Sequence, residues 1–245
     1  NVTIRGIVTT PNFQTTHNEF GLQDATAGII VFHYGAPFVT TTVGDSIEIT
    51  GDLDEYNGKF EIVPSGASGF TIISQNNPLP AFQVITVASL VANGEDYESE
   101  LIRINGASIT SGSWPTSSSV NLDISDDGGT STVTMRIDSD MDIIGNPEPA
   151  DPFNVQGIAG QYNDYQILPR YYTDCSPAGA VPPTIGSIAI EPSSPTEADD
   201  VTVSAAITDN GTIASATLTY NTGSTDTDVT MSNTTGDTYT GAIPA

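Results

Sequence analysis

Residues 51–64 read GDLDEYNGKFEIVP, and residues 157–169 read GIAGQYNDYQILP. In both, a glycine is followed five residues later by Tyr-Asn and then by a short apolar stretch that closes on proline. The second copy is one residue shorter. With that deletion placed in the turn, Gly51 faces Gly157, Tyr56 faces Tyr162, Asn57 faces Asn163, Ile62 faces Ile167 and Pro64 faces Pro169. Each phrase predicts a β-hairpin: a strand (Ile47–Leu53, or Val155–Ala159), a polar turn, and an alternating return strand ended by a proline that cannot donate to a ladder. Asn tolerates the left-handed backbone such turns need, and Gly58 adopts it without steric cost. A repeated hairpin predicts a repeated domain.

The strands upstream of each hairpin repeat as well. VTIRGIVTT (2–10) reads as a first strand with Gly6 as a bulge or bend, and Glu19–Asp24 with Gly28–His33 reads as a hairpin around DATAG. In the second copy Leu101–Thr110 places Gly106 where Gly6 stood, and Ser119–Ser125 and Ser131–Asp138 flank the turn Asp126-Asp127-Gly128-Gly129. The longer second copy is expected to carry its extra residues in the connector 138–151, because loops tolerate insertion. Between the copies, Thr86 is placed to cap a short helix, Val87–Ala92, whose apolar side chains would plug a barrel end. Five strands with a glycine-bent first strand predict a small closed barrel of the OB type.

The expected fold class is therefore all-β: two OB-like five-stranded barrels in tandem, at 1–75 and, with a lead-in segment, at 76–178, then an immunoglobulin-like β-sandwich at 183–245. The linker SPAGAVPP (176–183) precedes strands expected at Thr184–Ile190, Val201–Thr208, Ile213–Tyr220, Asp228–Ser232 and Thr238–Ile243. A complete sandwich of that kind has about seven strands, so five read as an incomplete one.

Composition narrows the function classes. Five Lys and Arg stand against 30 Asp and Glu, a formal net charge of −25. Such a surface repels phosphate backbones, which bind through clustered cations, and on this ground nucleic acid is excluded as a partner. No apolar run approaches a membrane span. The single cysteine, Cys175, rules out an internal disulfide framework and leaves a free thiol, an interchain pair or an attachment point.

Chemistry is sparse. A nucleophilic triad needs a base, and the two histidines, His17 and His33, both lie in the first copy, where no cysteine is found. With Glu19 they form one weak metal candidate. Asp52 and Asp54 share a strand face, without an aromatic groove of the sort that glycoside hydrolysis uses. Calcium is the expected ion, because Asp138, Asp140 and Asp142 (DSDMD) present oxygens at every second residue. The EF-hand pattern fails there, since Ile143 and Pro149 stand where glycine and glutamate belong, so the site would be a non-EF loop completed by Asp151 or Glu148. Solvated loop carboxylates are the competing reading. Tyr56 and Tyr162, beside the repeated turns, suit either packing on a neighbouring domain or a ligand.

VTIRGIVTT, FGLQDATAGIIVF and GQYNDYQILPR resemble OB-fold modules of secreted bacterial proteins, often found beside extracellular nuclease domains. PPTIGSIAIEPSSPTEADDVTVSAAITDNGTIASATLTY resembles the immunoglobulin-like or fibronectin-type repeats of bacterial surface proteins. The resemblance implies secretion or display at the cell surface and accessory roles. The leading expectation is a non-catalytic structural protein, a rod-like spacer or filament subunit stabilised by calcium and joined by strand donation, with itself or other surface proteins as partners. The alternative is an accessory binding-module fragment of a larger secreted nuclease or glycan-active enzyme, with an OB-mediated single-strand nucleic-acid binder ranked behind both.

Overall fold

The structure, a computed structural model, describes residues 1–179, 183–209, 213, 215–221, 223 and 225–245. The expected linker at 176–183 and the strand expected from Ile213 fall in part outside that set. The chain divides into two units, Asn1–Ala178 and Gly179–Ala245. No helix among the described residues is long and apolar enough to cross a membrane.

The first unit opens with β1 (Val2–Val8), β2 (Asn18–Gln23), β3 (Gly28–His33), β4 (Ser46–Tyr56) and β5 (Lys59–Val63). They run in the order β1-β2-β3-β5-β4, and β4 returns to β1, which closes the sheet. All pairs are antiparallel except β3 with β5, where Val31 lies opposite Ile62. This is the OB barrel. Alternation along the strands turns Val8, Phe20, Leu22, Val31, Ile47, Ile49 and Ile62 inward as one buried cluster, and each such side chain contributes about 1.5–3 kcal/mol on leaving water. The β4–β5 turn is as the sequence predicts, with Asn57 at φ 53° and Gly58 at φ 91°. A further strand, β6 (Phe70–Ser74), adds to the far side of β4.

The second barrel is led in by β7 (Gln83–Val84) and α1 (Val87–Asn93). The Thr86 hydroxyl caps α1 by accepting from the Ser89 amide at 3.1 Å, and Val87 and Leu90 are buried in the barrel's core. The barrel strands are β8 (Leu101–Ser111), β9 (Val120–Ser125), β10 (Val133–Ile137), β11 (Phe153–Tyr162) and β12 (Asp164–Leu168), with β13 (Cys175–Pro177) added to β11. Closure again runs through β11 on β8, and β10 with β12 is again the parallel pair, Met135 opposite Ile167.

Register gives the equivalences directly. Val2 and Ile102 face Gly51 and Gly157; Phe20 and Leu122 face Val31 and Met135. These pairs correct the expected place of the insertion: the offset between copies grows at each of the first three connections, not in 138–151 alone. The glycine expectation divides too. Gly106 has φ +66° and sits in a bulge, where Ile104 and Ala107 of β8 face Val155 and Phe153. Gly6 pairs without a register shift and is bare for a different reason, since a Cβ there would meet Leu22 Cγ at 2.9 Å.

The second unit contains β14 (Thr184–Glu191), β15 (Val201–Thr208), β16 (Ala216–Asn221), β17 (Asp226–Thr235) and β18 (Thr238–Ile243), in the order β14-β15-β18-β17-β16. It is a β-sandwich around a small core of Ala205, Ile207, Ala216 and Met231. Ile185 and Ile188 of β14 remain exposed.

Candidate functional site

The two barrels of the first unit meet over a polar and apolar seam. Ile30 on β3 and Phe13 in the β1–β2 loop are buried among the residues of the second barrel's core. Gly28 carries no side chain because the Ser99 carbonyl occupies the place of its Cβ. Backbone groups across the seam are satisfied in the way buried groups require. The Leu101 amide donates to Gln23 Oε1 at 3.0 Å, the Phe60 amide to Glu98 Oε1 at 2.7 Å, and the Asn163 amide to the Asn57 carbonyl at 2.6 Å. Arg170, 4 % exposed, grips Asp174 with Nε at 2.9 Å and Nη2 at 3.0 Å, and its Nη1 reaches the Thr9 carbonyl of the first barrel at 2.9 Å.

Beside this seam lies a groove of about 610 Å³. The first barrel supplies Phe13 and Gln14 from its β1–β2 loop, Glu19 from β2, and Tyr56 and Lys59 from the repeated hairpin. The second supplies Asn121 from β9, Thr134 and Arg136 from β10, Gln166 from β12, and Tyr162 with Asp164 from its own copy of that hairpin. Alternation explains the second set: Val133, Met135 and Ile137 point into the barrel, so Thr134 and Arg136 face out. The two hairpin tyrosines touch edge to face, ring centroids 6.1 Å apart, while 55 % of Tyr56 and 57 % of Tyr162 stay exposed. Of the two readings left open by the sequence, packing on the neighbouring barrel is what the rings do, and each keeps an exposed face.

Both cations of the groove are paired. Lys59 Nζ lies 2.7 Å from Glu19 Oε1 and 2.9 Å from Glu61 Oε1. Burial works against the ammonium, but the two carboxylates more than offset it and hold its pKa above the usual value. Glu61 is pushed up, first by burial, with Lys59 opposing. Arg136 donates to Asn121 Oδ1 at 3.1 Å and sits 3.4 Å from Asp138 Oδ2.

The candidate calcium residues are dispersed into other bonds. Asp138 Oδ1 accepts from the Asp140 amide at 3.1 Å, Asp140 Oδ2 from the Thr15 amide at 2.8 Å, and Asp142 Oδ1 from the Tyr172 amide at 2.7 Å; Asp151 is exposed. Among the described residues no group of three His, Cys, Asp or Glu is placed to hold a metal ion. His17 packs against Phe32 and Tyr34, and His33 against Phe38, while Glu19 is taken by Lys59. Cys175 is a buried free thiol with its pKa pushed up to about 12, by burial first and by the Asp174 charge second. Sequence reasoning missed the groove because its two walls come from different copies.

No family model matches the chain. It is 28 % identical over 178 residues to Endonuclease YhcR of Bacillus subtilis (strain 168), a match covering 71 % of this chain and 14 % of that protein, so the chain spans about a seventh of the relative's length. Among solved structures it is similar to a murine DNA binding protein bound with ds DNA (12 % identity, 69 % of this chain, 90 % of that one, TM-score 0.34). The Ifi202 HINa domain in complex with 20bp dsDNA is a second (11 %, 68 % and 91 %, TM-score 0.32). Likeness at those TM-scores carries no argument. The relative does overturn two expectations. The expectation of a structural rod or filament subunit gives way, because the relative matched over this stretch is Endonuclease YhcR. With it goes the exclusion of nucleic acid, which rested on a charge averaged over the whole chain and not on any one surface.

Proposed function

We propose that this chain is the nucleic-acid-binding accessory part of a larger nuclease, whose catalytic groups lie outside this stretch, and that the groove between the barrels is its binding site. One observation carries the reading: the groove is assembled from the elements with which OB barrels hold oligonucleotides. These are the first loop of one barrel, the β4–β5 and β11–β12 hairpins, and the second and third strands of the other barrel, β9 and β10. Tyr56 and Tyr162 supply sequence-tolerant stacking faces. The endonuclease relative supports the choice of ligand class over glycans, and secretion remains part of the proposal.

Fluorescence anisotropy with labelled single-stranded and duplex DNA tests it. The double substitution Tyr56→Ala, Tyr162→Ala is expected to weaken binding by roughly 1–3 kcal/mol for each lost stacked base, with the melting profile preserved because both rings are more than half exposed. Absence of binding to any nucleic acid, or unchanged affinity in the variant, counts against the proposal.

A further inference from the structure

We infer that the groove takes single-stranded nucleic acid by its base edges, leaving the phosphates outside, and favours bases that carry an exocyclic amine. This rests on the binding role proposed above and names the ligand form.

The charges on the groove decide against the phosphate backbone. Its two cations are Lys59 and Arg136, and its carboxylates are Glu19, Asp138 and Asp164. Lys59 is spent twice, on Glu19 at 2.7 Å and on Glu61 at 2.9 Å, with its side chain only 14 % exposed. Arg136 already faces Asn121 and Asp138. A phosphate entering here would gain no free cation and would meet uncompensated carboxylate. Affinity from released counterions, the usual source of phosphate-driven binding, has no basis at this site.

What the lining does offer suits a base. Gln14, Asn121, Thr134 and Gln166 can each donate and accept, and Tyr56 and Tyr162 present ring faces. The carboxylates only accept. Asp164, exposed on the return arm of the second hairpin, therefore seeks amine donors, while Asp138 is held by Arg136 and the Asp140 amide. Cytosine N4 and adenine N6 are such donors, whereas thymine and uracil turn a carbonyl oxygen to the same place. A volume of about 610 Å³ lies in the ordinary range of small-ligand clefts and admits splayed nucleotides. A duplex keeps its bases stacked and paired behind its phosphates, the groups this groove repels.

The test measures affinity for oligo-dC, oligo-dA, oligo-dT and a duplex of equal length across a salt series. Oligo-dC and oligo-dA are expected to bind at least about tenfold more tightly than oligo-dT or the duplex. Between about 50 and about 200 mM salt, affinity should change by less than about threefold, where six phosphate contacts to a single strand would cost more than about a hundredfold. Asp164→Asn, at an exposed position, should leave folding intact and shrink the preference over oligo-dT severalfold. A steep salt dependence, or a preference for oligo-dT or duplex, overturns this inference and leaves the binding role standing. No binding to any of the four probes overturns the binding role itself.

Discussion

Arg170→Ala should destabilise the first unit by about 3–5 kcal/mol, the cost of removing one partner from a buried ion pair. The magnitude follows from what is left behind. Asp174, 3 % exposed, loses the two-pronged contact from Nε and Nη2 and keeps only the Gln156 amide at 2.9 Å and the backbone amide of residue 170. The Thr9 carbonyl loses Nη1, and the guanidinium no longer stacks 5.0 Å above the Phe82 ring. Urea unfolding followed by Trp114 fluorescence isolates the effect, because Trp114 is the chain's single tryptophan and packs on the second barrel's core. For a unit of this size the loss corresponds to a fall in Tm of roughly 10 °C. Arg170→Met combined with Asp174→Leu removes both charges and should recover most of the stability. A loss below about 1 kcal/mol for Arg170→Ala, or a double substitution no better than the single, refutes the assignment of a buried, structurally needed pair.

Three further outcomes are expected. Native Cys175 should resist thiol reagents at neutral pH and react once the chain is unfolded, since its thiol is buried and its pKa raised to about 12; rapid native labelling would contradict that placement. The Glu98 carboxyl is held above the ordinary glutamate value of 4.5, by burial first, against the Phe60 amide that favours its charge. Its contribution to stability is therefore full below about pH 4.5 and is lost as pH rises through the folded value. Glu98→Gln, which can still accept from Phe60, should stabilise at pH 7 by under about 1 kcal/mol and match the wild type at acid pH; a constant difference across pH would oppose the cause given. Gly58→Ala puts a side chain at φ +91°, so thermal melting should show a loss on the order of 1–3 kcal/mol, and an unchanged melt would contradict the left-handed turn described for the first hairpin.

Strand positions and barrel closure were legible because two signals agree in both copies: inward alternation and turn residues with left-handed backbone. Asn57, Gly58 and Asn163 all adopt the positive φ their identities imply. The capped helix was equally plain, as Thr86 has a helical run behind it and the apolar Val87 and Leu90 to bury. Gly6 and Gly106 were not distinguishable, since a bare position opposite Leu22 and a bulge look alike in sequence. The groove was hidden for a related reason. Tyr56 and Tyr162 lie in different copies, and pairing them requires knowing that Gly28 lets the Ser99 backbone approach. Acidic spacing at Asp138, Asp140 and Asp142 suggested one site, yet the loop turns each carboxylate to a different backbone amide.

The Arg170 grip on Thr9 has no counterpart in the other copy. The residue after the closing proline is Arg170 in the second phrase and Ser65 in the first. The tandem is thus unequal: the later copy holds the earlier one through Arg170, while the earlier one reaches forward through Gln23, Phe13 and Ile30. A single barrel cut free would expose Ile30 and Phe13, which the other now covers. Duplication here ended as an obligate pair of unlike halves, and recombination that separates them would sacrifice the cleft that neither half possesses alone.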